Sequence, residues 1–235
     1  MKLKVLVLSL LLSTSSWATD FGKCNVLFPK KKAPEISVSL LNAKKTKPLC
    51  FDEFAVLYSL DTKTPVYAVE RLSYLFVNIK IKRTNNFHEE PQLALKERST
   101  LKDYARSGYD RGHNANARDT HTDTAMFNSF SLANMAPQAK DFNRHVWAKV
   151  EEDVRKYVKR SAGDIYVFTG GYFEPGFTTI GPNKVGVPTY FYKVVYDSQK
   201  KKSWVYFLEN KEGVKMKPPI SYDEFVKKTG IRVLD

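Results

Sequence analysis

The chain has 235 residues, 43% of them hydrophobic, and a formal net charge of +13. That length and apolar content suffice for one large domain or two small ones with a real core, and they exclude a disordered polymer. The positive excess attracts polyanions such as nucleic acid, heparin-like glycan or an anionic membrane surface, without naming one of them.

Lys2 and Lys4 precede an apolar run from Val5 to Leu12 broken only by Ser9, and Ser16-Trp17-Ala18 carries small residues at 16 and 18. This is the pattern of a cleaved export signal over residues 1–18, so the protein is expected to be exported, periplasmic or extracellular; the competing readings are an uncleaved anchor or a mitochondrial presequence, and the segment lacks the arginine of the latter. The segment holds two lysines and no acid, which leaves +11 of the +13 on the mature chain. The run is too short to span a bilayer and no later one reaches about 18 apolar residues, so no membrane span is expected. Cys24 and Cys50 are the only cysteines. In an exported chain such a pair reads as a disulfide, worth on the order of 3 kcal/mol. A thiolate zinc site is thereby excluded. Residues 19–50, with Lys30-Lys31-Lys32 and Lys44-Lys45, read as an extended arm stapled to a single mixed domain over 51–235.

Within that domain, Phe54 to Val69 suggests a hairpin turning at Asp61-Thr62-Lys63-Thr64-Pro65. Leu75 to Ile81 alternates near its end and suggests another strand. Arg83 to Thr100 is polar and loop-like, and Glu89-Glu90 reads as part of a solvated loop. Asn114 to Asn128 lacks helical periodicity and reads as an irregular connection. Phe130 to Pro137 reads as a short strand ended by proline. From Asn143 to Arg160 the valines at 146, 150, 154 and 158 predict a helix, with Asp141 as N-cap. Strands are expected over Asp164–Thr169, Tyr190–Tyr196 and Ser203–Leu208. Ser221 and Glu224 form a capping box that opens a last helix.

The chemically loaded stretch is Gly108-Tyr109-Asp110-Arg111-Gly112-His113, expected in a loop. Alone it is most simply a polar turn. In a basic cleft, however, a neutral His113 can take a proton from water near neutral pH. Arg111 can offset charge on a phosphorane. A hard cation such as Mg²⁺ keeps most of its waters and can be held by one amide. Asn143 opens the long helix, and Asn143, Trp147, Glu151 and Arg155 are four apart along one flank. The ordinary alternative makes Asn143 a cap and Glu151–Arg155 a surface pair worth ~0.3 to 0.5 kcal/mol.

Three motifs occur in order: Tyr109-Asp110-Arg111-Gly112-His113, then Asn134-Met135-Ala136-Pro137-Gln138, then Asn143 through Trp147 to Glu151. From roughly Tyr67 to Leu208 the chain closely resembles the DNA/RNA non-specific endonuclease family, the beta-beta-alpha-metal or His-Me finger nucleases. The resemblance implies an α+β domain with a central antiparallel sheet and a beta-beta-alpha-metal core. It implies hydrolysis of internal phosphodiesters in DNA and RNA to 5′-phosphate ends. His113 would be the general base, Asn143 the one direct protein ligand of Mg²⁺ (or Mn²⁺), and Glu151 would act through water on the ion. Arg111 and Arg155 match arginines that contact phosphate, Asp110 and Asn134 match positions that organise the site, and Arg83 stands near a substrate-binding arginine. DNA and RNA are the implied partners, and a proteinaceous inhibitor is a further candidate.

The chain departs from the family in having Asn114-Ala115-Asn116 where Ala-Pro commonly follows the histidine, so the next loop is expected to take its own path. The resemblance gives His121 and His145 no role. The reading from another class is a basic protein of the same fold that binds nucleic acid or glycan without cutting it. The complete set Asp110, Arg111, His113, Asn143 and Glu151 argues against it.

Overall fold

The computed structural model describes residues 21–35 and 45–234, so the expected export signal lies outside the described residues. Two short 3₁₀ turns, Gly22–Leu27 and Pro29–Lys31, lead into β1 (Thr46–Cys50), β2 (Phe54–Ser59) and β3 (Thr64–Leu72). The short helices α1 (Tyr74–Val77) and α2 (Leu101–Tyr104) precede β4 (Asp110–His113), α3 (Asp123–Ser129) and β5 (Met135–Gln138). A π-helical turn, Phe142–Trp147, opens α4 (Ala148–Val158). The chain ends with β6 (Ile165–Tyr172), the small hairpin β7 (Thr179–Ile180) and β8 (Val185–Gly186), β9 (Tyr190–Asp197), β10 (Lys202–Glu209) and α5 (Tyr222–Thr229).

Six strands form one antiparallel sheet in the order β1-β2-β3-β6-β9-β10. Alternation along each strand sorts its side chains between two layers. Tyr67, Val69, Phe168, Tyr192 and Val194 pack on one face against Phe21 and Phe28 of the N-terminal turns and Phe225 of α5. Leu72, Ile165, Val167 and Val195 pack on the other against Val154 and Val158 of α4. The Cys24–Cys50 disulfide joins the N-terminal turns to the end of β1. Ser221 Oγ accepts from Glu224 N at 3.1 Å and opens α5, which stops at Gly230 with φ of 72°. The signal at Ser221 was readable in the sequence.

Several expectations need correction. Thr46–Cys50, expected within an arm, is the edge strand β1. Leu75–Ile81 forms no strand: β3 already pairs with β2 and β6 on its two edges, so the segment folds into α1 and leaves Leu75 71% exposed. Glu90 is buried rather than solvated, and it accepts from Ser131 Oγ at 2.6 Å and Gln92 N at 3.0 Å. The 114–128 connection contains α3, which Thr122 Oγ1 caps by accepting from Ala125 N. Asp141 makes no cap; its carboxylate bonds His145 Nδ1 at 2.7 Å and Gly213 N at 3.1 Å.

The two apolar positions Phe168 and Leu75 should therefore behave oppositely. Phe168 is fully buried between the N-terminal aromatics and the sheet, so Phe168→Ala should cost about 3 to 5 kcal/mol in urea unfolding. Leu75→Ala should stay within about 0.5 kcal/mol of the parent.

Candidate active site

The acid–arginine–glycine–histidine stretch is the strand β4, not a loop, and it pairs antiparallel with β5 so that His113 faces Met135 and Gly112 faces Ala136. The glycine is required there, because a Cβ at 112 would run into the buried Gln138 side chain. Just beyond His113 the chain is tied down by asparagines. Asn114 N and Nδ2 both donate to Asn134 O at 3.0 Å, while Asn134 Oδ1 accepts from Ala115 N and its Nδ2 donates to Ala115 O and Ser129 O. Asn134 is thus wholly buried behind the histidine and does not line the cleft. The Asn114-Ala115-Asn116 departure is what builds part of this lashing.

The His113 ring stands edge-on to Phe130, with centroids 4.9 Å apart, and 5.8 Å from Phe87. Its Nε2 is sealed and has no hydrogen-bond partner among the described residues. Burial, helped by the positive charge of Arg83, pulls its pKa down to about 3, so the ring is neutral at ordinary pH with a lone pair to offer. The same two aromatics carry the flanking arginines: Arg111 lies 4.1 Å over Phe87 and Arg83 5.1 Å over Phe130.

Opposite β4 stands the start of the long helix. The wide π turn breaks the four-residue register, and Asn143 and Trp147 end up on different sides. Asn143 reaches the cleft, whereas Trp147 is fully buried against Phe142 and Phe191. The single stripe read from the sequence holds only from Glu151 to Arg155.

Asp110 bridges strand and helix, accepting from Asn143 Nδ2 at 3.0 Å and from Arg144 Nε and Nη2 at 2.8 and 2.9 Å. Burial alone would raise its pKa, but these donors outweigh it and hold the carboxyl below the usual range. They also fix the Asn143 amide, leaving Oδ1 free of any hydrogen bond among the described residues. No group of three or more His, Cys, Asp or Glu among the described residues is arranged for a metal ion. A hard cation that keeps most of its waters and needs one amide oxygen fits this donor set; a zinc-type cage does not.

His113, Arg111, Asp110, Asn143, Glu151, Arg155 and Arg83 all line one cavity of about 750 Å³. His121 and His145 do not line it; they pair with Glu53 and Asp141. Glu151 and Arg155 are no surface pair. Arg155 Nε bonds Asp119 Oδ1 at 2.6 Å, both largely buried, and Arg155 Nη2 has no partner among the described residues.

Beneath the cleft lie charges that motif reading passed over. Glu70 on β3 is buried and accepts from Asn116 N at 3.0 Å. Lys193 on β9 is buried, with Nζ donating to Thr169 Oγ1 at 2.6 Å and lying 5.4 Å from the Trp147 ring. Three carboxyls (Glu70, Asp119 and Glu151) thus share two cations, Lys193 and Arg155. Loss of water pushes the Glu70 and Asp119 carboxyls up. It lifts Glu151 to about 7, Lys193 opposing and Asp119 adding. The sequence signal was a charge inside largely apolar strands, at Glu70 beside Arg71 in Val66–Leu72 and at Lys193 in Tyr190–Tyr196. Arg144 and Arg118, also lining the cleft, gave no comparable signal.

The chain is similar to known nucleases. Nuclease C1 of Cunninghamella echinulata var. echinulata is 40% identical over 150 residues, 58% of this chain and 59% of that protein. The mitochondrial endonuclease G of Bos taurus is 32% identical over 170 residues, 67% of this chain and 54% of that protein. The chain thus spans about half the length of the curated relatives it matches. Among solved structures, one described as the EndoG/EndoGI complex and the mechanism of EndoG inhibition aligns with TM-score 0.73 and 26% identity, covering 83% of this chain and 88% of that one. The expected export is overturned here: relatives from Saccharomyces cerevisiae, Bos taurus, Homo sapiens and Schizosaccharomyces pombe are mitochondrial nucleases by name. Among the described residues no helix is long and apolar enough to cross a membrane. The model of the DNA/RNA non-specific endonuclease family matches residues 32–235, and with its sheet, its β4–β5–α4 finger and its cleft the chain belongs to that family.

Proposed function

We propose that the protein is a sugar-non-specific endonuclease that hydrolyses internal phosphodiester bonds of DNA and RNA and leaves 5′-phosphate ends. The observation that carries this reading is the convergence of His113, from a strand, and Asn143, from a helix, on one arginine-lined cavity. His113 takes the proton of a water that attacks phosphorus, the bond to the 3′-oxygen breaks, and that oxygen is protonated from solvent. Arg111, Arg155 and Arg83 face the charge that builds on the phosphate. Asn143 Oδ1, turned outward by Asp110 and Arg144, would hold Mg²⁺ or Mn²⁺. When bound, the ion supplies positive charge to the phosphate oxygens. Glu151 lies along the same wall and would hydrogen-bond water there. Asn134 acts only by fastening the chain behind His113. Residues 51–235 carry every one of these side chains, with β1 completing their sheet. The arginines of the cleft suit contact through phosphate, so sequence preference should be weak. A proteinaceous inhibitor that covers the cleft would fit the same reading.

Purified protein should nick plasmid and degrade single-stranded DNA and RNA with Mg²⁺ or Mn²⁺, and stop in EDTA. His113→Ala should lower the rate by about 10² to 10⁴; cleavage that survives both EDTA and this substitution would sink the proposal.

The motifs give Arg144 no role, yet it grips the acid that orients Asn143. Arg144→Ala should raise the metal concentration for half-maximal activity about 10- to 100-fold, while leaving the unfolding midpoint in EDTA near that of the parent.

Lys193→Met removes a cation shared by the buried Glu70 and Asp119 and the half-buried Glu151, at a cost of about 3 to 5 kcal/mol. The pH dependence has a definite sign. A carboxyl whose folded pKa is raised costs stability as pH climbs from its unfolded value near 4.3 toward its folded one, which for Glu151 is about 7 in the parent. The deficit of Lys193→Met should therefore widen between about pH 4 and 8 in urea titrations; a constant deficit would show that Lys193 is not the counter-charge of this cluster.

A further inference from the structure

On the flank of α4 turned away from the cleft, a second cavity of about 420 Å³ opens between the C-terminal half of that helix and β10. Its walls are of two kinds. Tyr157, Trp204 and Tyr206 are aromatic and only partly buried, and Lys156, Arg160 and Lys202 are basic and exposed. The fold accounts for the aromatics. Trp204 and Tyr206 alternate on the helix-facing side of β10, the last strand of the sheet, and both pack only partway onto the layer beneath α4.

The aromatic wall is rigid. The Tyr157 hydroxyl donates to Asp197 Oδ2 at 2.7 Å, and its ring meets Trp204 edge-on, with centroids 4.7 Å apart. Lys200 Nζ lies 5.3 Å from the Tyr157 ring, so the tight turn Ser198–Lys201 adds charge to the rim. Arg160 and Lys202 have no acidic partner among the described residues. The one acid in the lining, Asp153, is already paired with Lys149.

A flat aromatic face beside unpaired cations has the chemistry that takes a nucleobase by stacking and its phosphates by charge. Stacking on such a face requires a base that is not inside a duplex. We propose that this cavity is a second nucleic-acid site, which takes an unpaired stretch of polynucleotide with a base against Trp204 and phosphates against Arg160 and Lys202. It rests on the nuclease reading above and extends it. The site would retain single-stranded substrate outside the cleft. Glu151 in the cleft wall lies near the start of α4 and Arg160 on the rim lies two residues beyond its end, about 14 Å apart along the helix axis.

The test uses the full chain and two variants, Trp204→Leu and the charge reversal Arg160→Glu with Lys202→Glu; the second alters only exposed side chains and spares the core. Cleavage is followed on long single-stranded DNA, on duplex plasmid, and on a nitrophenyl phosphodiester of thymidine too small to reach both sites. The expected result is that KM for the single strand rises about tenfold in each variant, with kcat and the small ester unchanged. KM for duplex should rise less. Fluorescence anisotropy of a labelled 20-nucleotide oligothymidylate in EDTA, on a His113→Ala background, should show the same loss of affinity. Unchanged KM and affinity for the single strand in the charge reversal would overturn the proposal, as would an equal loss on duplex. If the parent cleaves none of the three substrates, the nuclease reading itself fails. The anisotropy titration still decides whether the cavity binds a strand.

Discussion

The Asp110 carboxylate is the junction on which the site depends. It belongs to the strand that carries His113, and it receives hydrogen bonds from the two helix residues Asn143 and Arg144. Strand and helix are 33 residues apart in the chain at this contact, so nothing local brings the imidazole and the amide to one cleft. Because one carboxylate accepts from three donors, its orientation is fixed from several directions, and the Asn143 amide is fixed with it. The π turn serves the same end. A regular α-helix would put Asn143 on the Trp147 side, in the core; the wider turn lets the tryptophan bury and the asparagine reach the cleft.

A second constraint lies under the cleft. On the helix-facing side of the sheet, beneath the cleft, Glu70, Thr169 and Lys193 interrupt the apolar layer, and they lie close together because β3, β6 and β9 are neighbours. Buried charge of this kind is expensive unless paired, and here Lys193 and Arg155 are shared among three carboxyls. Burial is the main reason for Glu151 to sit near the neutral range, and the Asp119 charge adds to it against Lys193.

Much of this was legible in residues and much was not. The valines of α4, the capping box at Ser221 and the hairpins around Asp61 and Asp197 carry periodic or turn chemistry that acts within a few residues, and the elements follow it. The segment 75–81 alternates as a strand does and fails to become one, since strand formation needs a free neighbouring edge and β3 has none. Glu90 looked like solvent-facing acid beside Glu89, but its partner Ser131 is 41 residues away.

The sequence by itself determined the chemistry on offer: a histidine and arginine beside a glycine that only a close strand pair requires, an amide at a helix start, and an acid and guanidinium one turn apart. These are properties of residue type and short spacing, and short spacing fixes local geometry. Only the tertiary structure decided which of them meet. It set His113 across from Asn143, took Asn134 out of the cleft, gave Arg155 to Asp119 and put Glu70 and Lys193 beneath Glu151. Those outcomes depend on strand order and on one irregular helical turn, which are settled by packing the whole chain at once.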